Sequence, residues 1–168
     1  MIFNVLKSRW LRKQQDKLQK GTRDRKPTTP SSMVVLYNAD AEKSILFLEK
    51  WAQDLGVKRL VTLGFTRDDK AVSTADSIMI NSKTIKWSGG IADDSLSKVL
   101  TMQFDLQVNY FDEKDDLHHY LAMAINANFK VGIPRQSEEI YDLAIEVRLE
   151  QKETFIKELK KYLNIITQ

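Results

Sequence analysis

Phe104-Asp105-Leu106-Gln107-Val108-Asn109-Tyr110 is the stretch on which the reading of this chain turns. It reads as a strand, and a polar Asp112–Asp116 turn follows it. Leu117, Leu121, Ala124 and Ile125 then recur at helical spacing, and Phe129–Ile133 is a second short apolar run. Strand, helix, strand in that order is a βαβ unit, whose strands lie parallel. The pattern Tyr141-Asp142-Leu143-Ala144-Ile145 repeats Phe104-Asp105-Leu106-Gln107-Val108, aromatic for aromatic and Asp for Asp, which predicts a final strand over 141–147. A closing helix is expected over 150–163, with Phe155, Leu159, Tyr162 and Ile166 turned to the core.

The same grammar holds toward the N-terminus. Met33–Asn38 is an apolar run suited to a buried parallel strand. Ile45, Leu48, Ala52 and Leu55 predict a helix, capped by Asn38 or Asp40 and ended by Gly56, and Val57–Phe65 is the next strand. Residues 66–90 are less regular: Ser77–Ile80 and Thr84–Trp87 suggest a hairpin or an edge strand, and Trp87-Ser88-Gly89-Gly90 a loop. Asp93 or Asp94 caps a short helix running to about Leu100. The expected fold class is α/β, a three-layer Rossmann-like sandwich whose mostly parallel sheet has about five strands.

Charge divides the chain in two. Residues 1–32 hold nine Lys/Arg against two Asp, a net of +7, while the remaining 136 hold 17 against 21, a net of −4. Residues 1–20 predict a helix with Phe3, Leu6, Trp10 and Leu18 on one side, and the Pro- and Ser/Thr-rich stretch 22–32 reads as an extended linker. The expected organisation is a basic N-terminal helix and linker arm over 1–32 and an α/β domain over 33–168.

That arm carries the strongest functional signal. Lys7, Arg9, Arg12, Lys13, Lys17, Lys20, Arg23, Arg25 and Lys26 could neutralise several phosphates, giving salt-dependent affinity that is largely blind to sequence. Trp10 among them could stack on an unpaired base. RNA or the ribosome is the favoured partner, because nothing resembles a helix-turn-helix and no DNA operator is expected. An anionic membrane surface is the alternative, with Phe3, Leu6 and Trp10 lying in the interface. A helix packed on its own domain is the third possibility.

The body supplies fewer chemical signals. Cysteine is absent, which removes disulfides, thiolate catalysis and Cys-ligated zinc. The two histidines, His118 and His119, are adjacent and so point about 100° apart on a helix, which prevents joint chelation, and they read as solvent-facing. Neither a Gly-x-Gly-x-x-Gly nor a Gly-Lys-Ser/Thr motif occurs. Asp105 and Asp142 sit near strand N-termini, away from the carboxyl ends where open α/β sheets bind ligands, so they are expected to bond neighbouring backbone or a Lys/Arg. At the favoured ends stand Asn38, Asp40, Gly64, Asn109 and Gly132, a set suited to a small polar ligand or nucleotide and holding no nucleophile–base pair. No catalytic residue, metal ligand or cofactor is assigned, and an enzyme is the less favoured reading. No apolar run approaches the roughly 20 residues of a membrane span, and a cytoplasmic location is the default.

Ile85-Lys86-Trp87-Ser88-Gly89, Phe104-Asp105-Leu106, Leu117–Tyr120, Ala127-Asn128-Phe129-Lys130-Val131-Gly132 and Tyr141-Asp142-Leu143 together resemble an uncharacterised domain-of-unknown-function family of roughly 170-residue proteins from Bacteroidota. The basic N-terminal helix and Glu158-Leu159-Lys160-Lys161-Tyr162-Leu163 fit the same pattern. The resemblance implies an α/β fold and transfers no activity.

Overall fold

A computed structural model describes residues 2–19, 28–134 and 140–168, with side chains described over 5–18 in the first helix. Among the described residues five α-helices, α1 (Ile2–Gln19), α2 (Leu46–Asp54), α3 (Asp94–Thr101), α4 (Asp116–Ala124) and α5 (Lys152–Ile166), surround six strands. The strands are β1 (Ser32–Asn38), β2 (Arg59–Phe65), β3 (Ile78–Ile80), β4 (Gln103–Tyr110), β5 (Asn126–Gly132) and β6 (Leu143–Ala144). They form one sheet in the order β3-β2-β1-β4-β5-β6, and every pairing is parallel. Six strands replace the five expected, because Ile78–Ile80 pairs with Leu63–Phe65 as a parallel edge strand.

β1 lies at the centre, flanked by β2 and β4, and every one of its residues is buried. A strand covered on both faces cannot alternate polar and apolar residues, which is why Met33-Val34-Val35-Leu36-Tyr37 is continuous. On one face α2 and α5 enclose an aromatic cluster: Trp51 stacks on Phe155 at 5.3 Å and meets Tyr110 edge-on at 5.0 Å. On the other face α1, α3 and α4 cover Val34, Leu36, Leu63, Phe104 and Ile125.

Local chemistry sets the helix ends. Asp93 caps α3 by accepting from Leu96 N, and Asp115 caps α4 by accepting from His118 N. Gly56, at φ +71°, closes α2 with paired bonds from Gly56 N to Gln53 O and Val57 N to Ala52 O. The cap expected at the start of α2 is different. Asn38 Oδ1 accepts from the amides of Asp40 and Ala41 in a turn of its own, and α2 begins only at Leu46.

Asp105 and Asp142 do the work expected of them. Asp105 Oδ2 accepts from Ser31 N, Ser32 N and Ser32 Oγ at 2.9–3.1 Å, tying the chain that enters β1 to β4. Burial alone would raise its pKa, but these three donors and Arg59 hold it below the ordinary carboxylate value. Asp142 Oδ2 accepts from Lys130 N, so the repeated motif places each Asp on the backbone of the neighbouring strand. β6 itself is shorter than the 141–147 expected, with only Leu143–Ala144 in ladder register. Thr84–Trp87 is not a strand: Ile85 bridges Ile91 across a tight loop turned at Gly89 and Gly90, both with φ near +90°.

Candidate functional site

Helix α1 packs across α4 and the 80s loop, and its two faces do different things. Leu11, 7% exposed, sits at the centre of the docked face, flanked by half-buried Lys7, Ser8, Gln14 and Gln15. Trp10 meets the Tyr120 ring edge-on at 5.3 Å and lies over Gly89, where an added Cβ would come within 2.6 Å of Trp10 Cδ1. Lys7 Nζ donates to Ser82 O at 2.6 Å, and Gln15 Nε2 donates to Asp116 O at 3.3 Å. Of the apolar side expected from Phe3, Leu6, Trp10 and Leu18, Trp10 is docked while Leu6 and Leu18 are exposed, and the Phe3 side chain lies outside the described residues. The helix docks through Trp10, Leu11 and the stem of Lys7.

The opposite face carries Arg9, Arg12, Lys13 and Lys17, all exposed, with Asp16 among them. These fall at i, i+3 and i+4 spacing, so their Cβ atoms line one strip. No ion pair joins any of the four to a carboxylate among the described residues. Lys20, Arg23, Arg25 and Lys26, which complete the predicted basic set, lie outside the described residues.

Beneath the inner face of α1 is a crevice of about 400 Å³ at the carboxyl ends of the strands. Strand order reverses between β1 and β4, and open α/β sheets bind ligands at that switch point. Side chains from three strand ends are stitched across it. Asp40 Oδ1 accepts from Thr66 Oγ1 at 2.6 Å and Asp40 Oδ2 from Arg67 N at 2.9 Å. Glu113 accepts from Asn38 Nδ2 at 3.2 Å and pairs with Arg67 Nη2 at 2.9 Å. The Thr66 hydroxyl, then the Arg67 amide, lower the Asp40 pKa, so this carboxyl is ionised at neutral pH.

Of the residues predicted to bind a ligand, Asn38 and Asp40 line this crevice, as does Lys7 from the basic set. Gly64, Asn109 and Gly132 do not. A Cβ on Gly64 would lie 2.8 Å from Tyr37 Oη, and one on Gly132 2.5 Å from Tyr141 Cζ, so both glycines make room for tyrosines. Asn109 is fully buried, accepting from Gln107 Nε2 and donating to Val131 O. Sequence reasoning overlooked Arg67, Glu113 and the Phe65 and Phe111 floor. Arg67 falls in the less regular stretch 66–90, though its place just after a strand's carboxyl end is a usable signal.

His118 also departs from its reading. It is 2% exposed rather than solvent-facing, stacked on Phe111 at 4.3 Å and edge-on to Phe65 at 5.0 Å. Neither ring nitrogen has a hydrogen-bond partner. Burial, with a smaller contribution from His119, pushes its pKa down to about 3. Among the described residues, no group of three or more His, Cys, Asp or Glu is placed to hold a metal ion, and no helix is long and apolar enough to cross a membrane.

An all-parallel sheet ordered 3-2-1-4-5-6, flanked by helices and open at its switch point, defines a Rossmann-like α/β protein. Within that class, the chain belongs to a family of unknown function (DUF6913), whose model matches residues 7–166. No curated protein and no solved structure matches it.

Proposed function

We propose that this protein is a non-enzymatic RNA-binding protein of the cytoplasm, associated with the ribosome or another structured RNA, that grips phosphates with the outer face of α1. One observation carries the reading: α1 docks by the opposite side, so that Arg9, Arg12, Lys13 and Lys17 face solvent with no acidic partner among the described residues. A helix held rigidly loses less freedom on binding than a mobile arm, and its cations keep one spacing. The geometry shifts one element of the expectation. Trp10 packs on Tyr120 and Gly89 rather than standing free, which favours phosphate contacts over base stacking in this reading. The same contact weighs against the membrane reading, since a helix in the interface would need Trp10 for lipid.

The test is a salt series of binding to a structured RNA hairpin and of co-sedimentation with ribosomes. Full-length protein is compared with a variant carrying Arg9→Gln, Arg12→Gln, Lys13→Gln and Lys17→Gln. Each lost phosphate contact lowers the slope of log K against log salt by about 0.7–0.9, so the variant should lose a slope of about 3 and at least about tenfold in affinity. Equal binding by the variant, or tighter binding to phosphatidylserine vesicles than to RNA, would overturn the proposal.

A further inference from the structure

We propose that the crevice beneath α1 binds an uncharged or cationic ring compound of about nucleoside size that carries several O–H or N–H donors. This site lies on the inner side of the helix and is independent of its outer basic face. Its volume of about 400 Å³ falls within the range of about 300–1,000 Å³ typical of small-molecule sites.

The lining defines the ligand chemistry. Phe65, Phe111, Ile80, Ile85, Leu11 and Leu117 give an apolar floor and walls, with the two Phe rings 5.3 Å apart and tilted by 54°. A flat ring finds aromatic faces and edges there. Above that floor stand the acidic residues Asp40, Glu113 and Asp115 against the basic residues Lys7 and Arg67, a formal excess of one negative charge. Arg67 is paired with Glu113, and one of the three N–H donors of Lys7 is taken by Ser82 O. Each carboxylate oxygen offers two acceptor sites, and the bonds across the crevice leave capacity at Asp40 and Glu113 for ligand donors.

The same features disfavour a phosphate. The turn after β1 runs Ala39-Asp40-Ala41-Glu42 with no glycine to let backbone amides approach an anion, and α2 starts only at Leu46. An anionic group would instead meet Asp40 and Glu113. The fold therefore offers the position of a dinucleotide site with the opposite electrostatic preference. The side-chain bonds linking the ends of β1, β2 and β4 hold the acceptors in place before any ligand arrives, which lowers the entropy lost on binding.

Calorimetry on the full chain with three probes tests this: adenosine (neutral), adenosine monophosphate (the same ring with a phosphate) and tryptamine (a cationic ring amine). Adenosine or tryptamine should bind with a Kd below about 1 mM, and the monophosphate at least about tenfold more weakly than the better of the two. Asp40→Asn and Glu113→Gln should each weaken that binding about tenfold. Glu113 has a side chain 46% exposed, so its variant keeps the test open if Asp40→Asn disturbs folding. The fourfold variant of the basic face should bind the probe as the wild type does. If neither adenosine nor tryptamine binds at about 1 mM, if the monophosphate binds as tightly as the better probe, or if Glu113→Gln has no effect, the proposal fails.

Discussion

Lowering the pH from 7 to about 4.5 will remove roughly 2–3 kcal/mol of stability through His118 alone, and a His118→Leu variant will not show that loss. The sign follows from the direction of the shift. His118 has an ordinary pKa of 6.5 and a folded value of about 3, so the folded state disfavours the cation. Its contribution is fully present above pH 6.5, falls as the unfolded chain takes up a proton below that, and levels off near pH 3. The two pH units from 6.5 to 4.5 correspond to roughly 2–3 kcal/mol. The ring lies against Phe65 and Phe111, and neither of its nitrogens has a hydrogen-bond partner to support a cation. At neutral pH the substitution has opposing effects. Loss of stacking on Phe111 removes about 0.5–1.5 kcal/mol, and removal of unpartnered buried nitrogens returns about 1–3 kcal/mol. Asp40 and Asp105 also titrate in acid, but identically in both proteins, so the difference between them isolates His118. Urea melts of both proteins at the two pH values measure it. Parallel pH dependences, or a His118 imidazole resonance that titrates near 6.5 by NMR, would show that the ring is not sealed.

Gly132→Ala is expected to destabilise the fold by about 1–3 kcal/mol, the usual range for overpacking. The added methyl would lie 2.5–2.8 Å from three carbons of the Tyr141 ring. That ring cannot retreat freely, because the next residue, Asp142, is held by two bonds to Lys130, one from Lys130 N to its carboxylate and one from its own amide to Lys130 O. Displacing Tyr141 therefore loosens β6 at the sheet edge. A double-mutant cycle makes the mechanism testable. In a Tyr141→Ala background the space is open, and Gly132→Ala should then change stability by less than about 0.5 kcal/mol. An equal loss in both backgrounds would mean that something other than the tyrosine requires glycine here. Gly64 is constrained in the same way by the ring of Tyr37. Both glycines stand at strand carboxyl ends, where sequence alone suggests ligand contact, and both are explained by a neighbouring ring.

The βαβ pattern around Phe104–Tyr110 was legible because Phe104, Leu106, Val108 and Tyr110 recur at every second residue, as in a strand, and Leu117, Leu121, Ala124 and Ile125 recur at helical spacing. Gly56 and Asp93 were legible for the same reason: a cap depends on residues within one turn of it. The charge division between residues 1–32 and the rest is likewise a property of the chain as written. The candidate site was half visible, through Asn38 and Asp40 at the end of β1.

What remained needed the fold, since it rests on residues far apart in sequence. Strand order placed Glu113 beside Asn38 and Arg67, 75 and 46 positions away along the chain, and no periodicity encodes such a pairing. Docking of α1 turned Leu11 inward and Arg9 outward. The helix has apolar residues on several sides, so the surface it meets, not its own pattern, selected the buried face. Burial of His118 had the same origin: its helical position was clear, but only the rings of Phe65 and Phe111, brought over from β2 and the end of β4, removed it from water. Local chemistry thus determined which elements form and where they stop, and tertiary packing decided which of their faces meet and what chemistry those faces can hold.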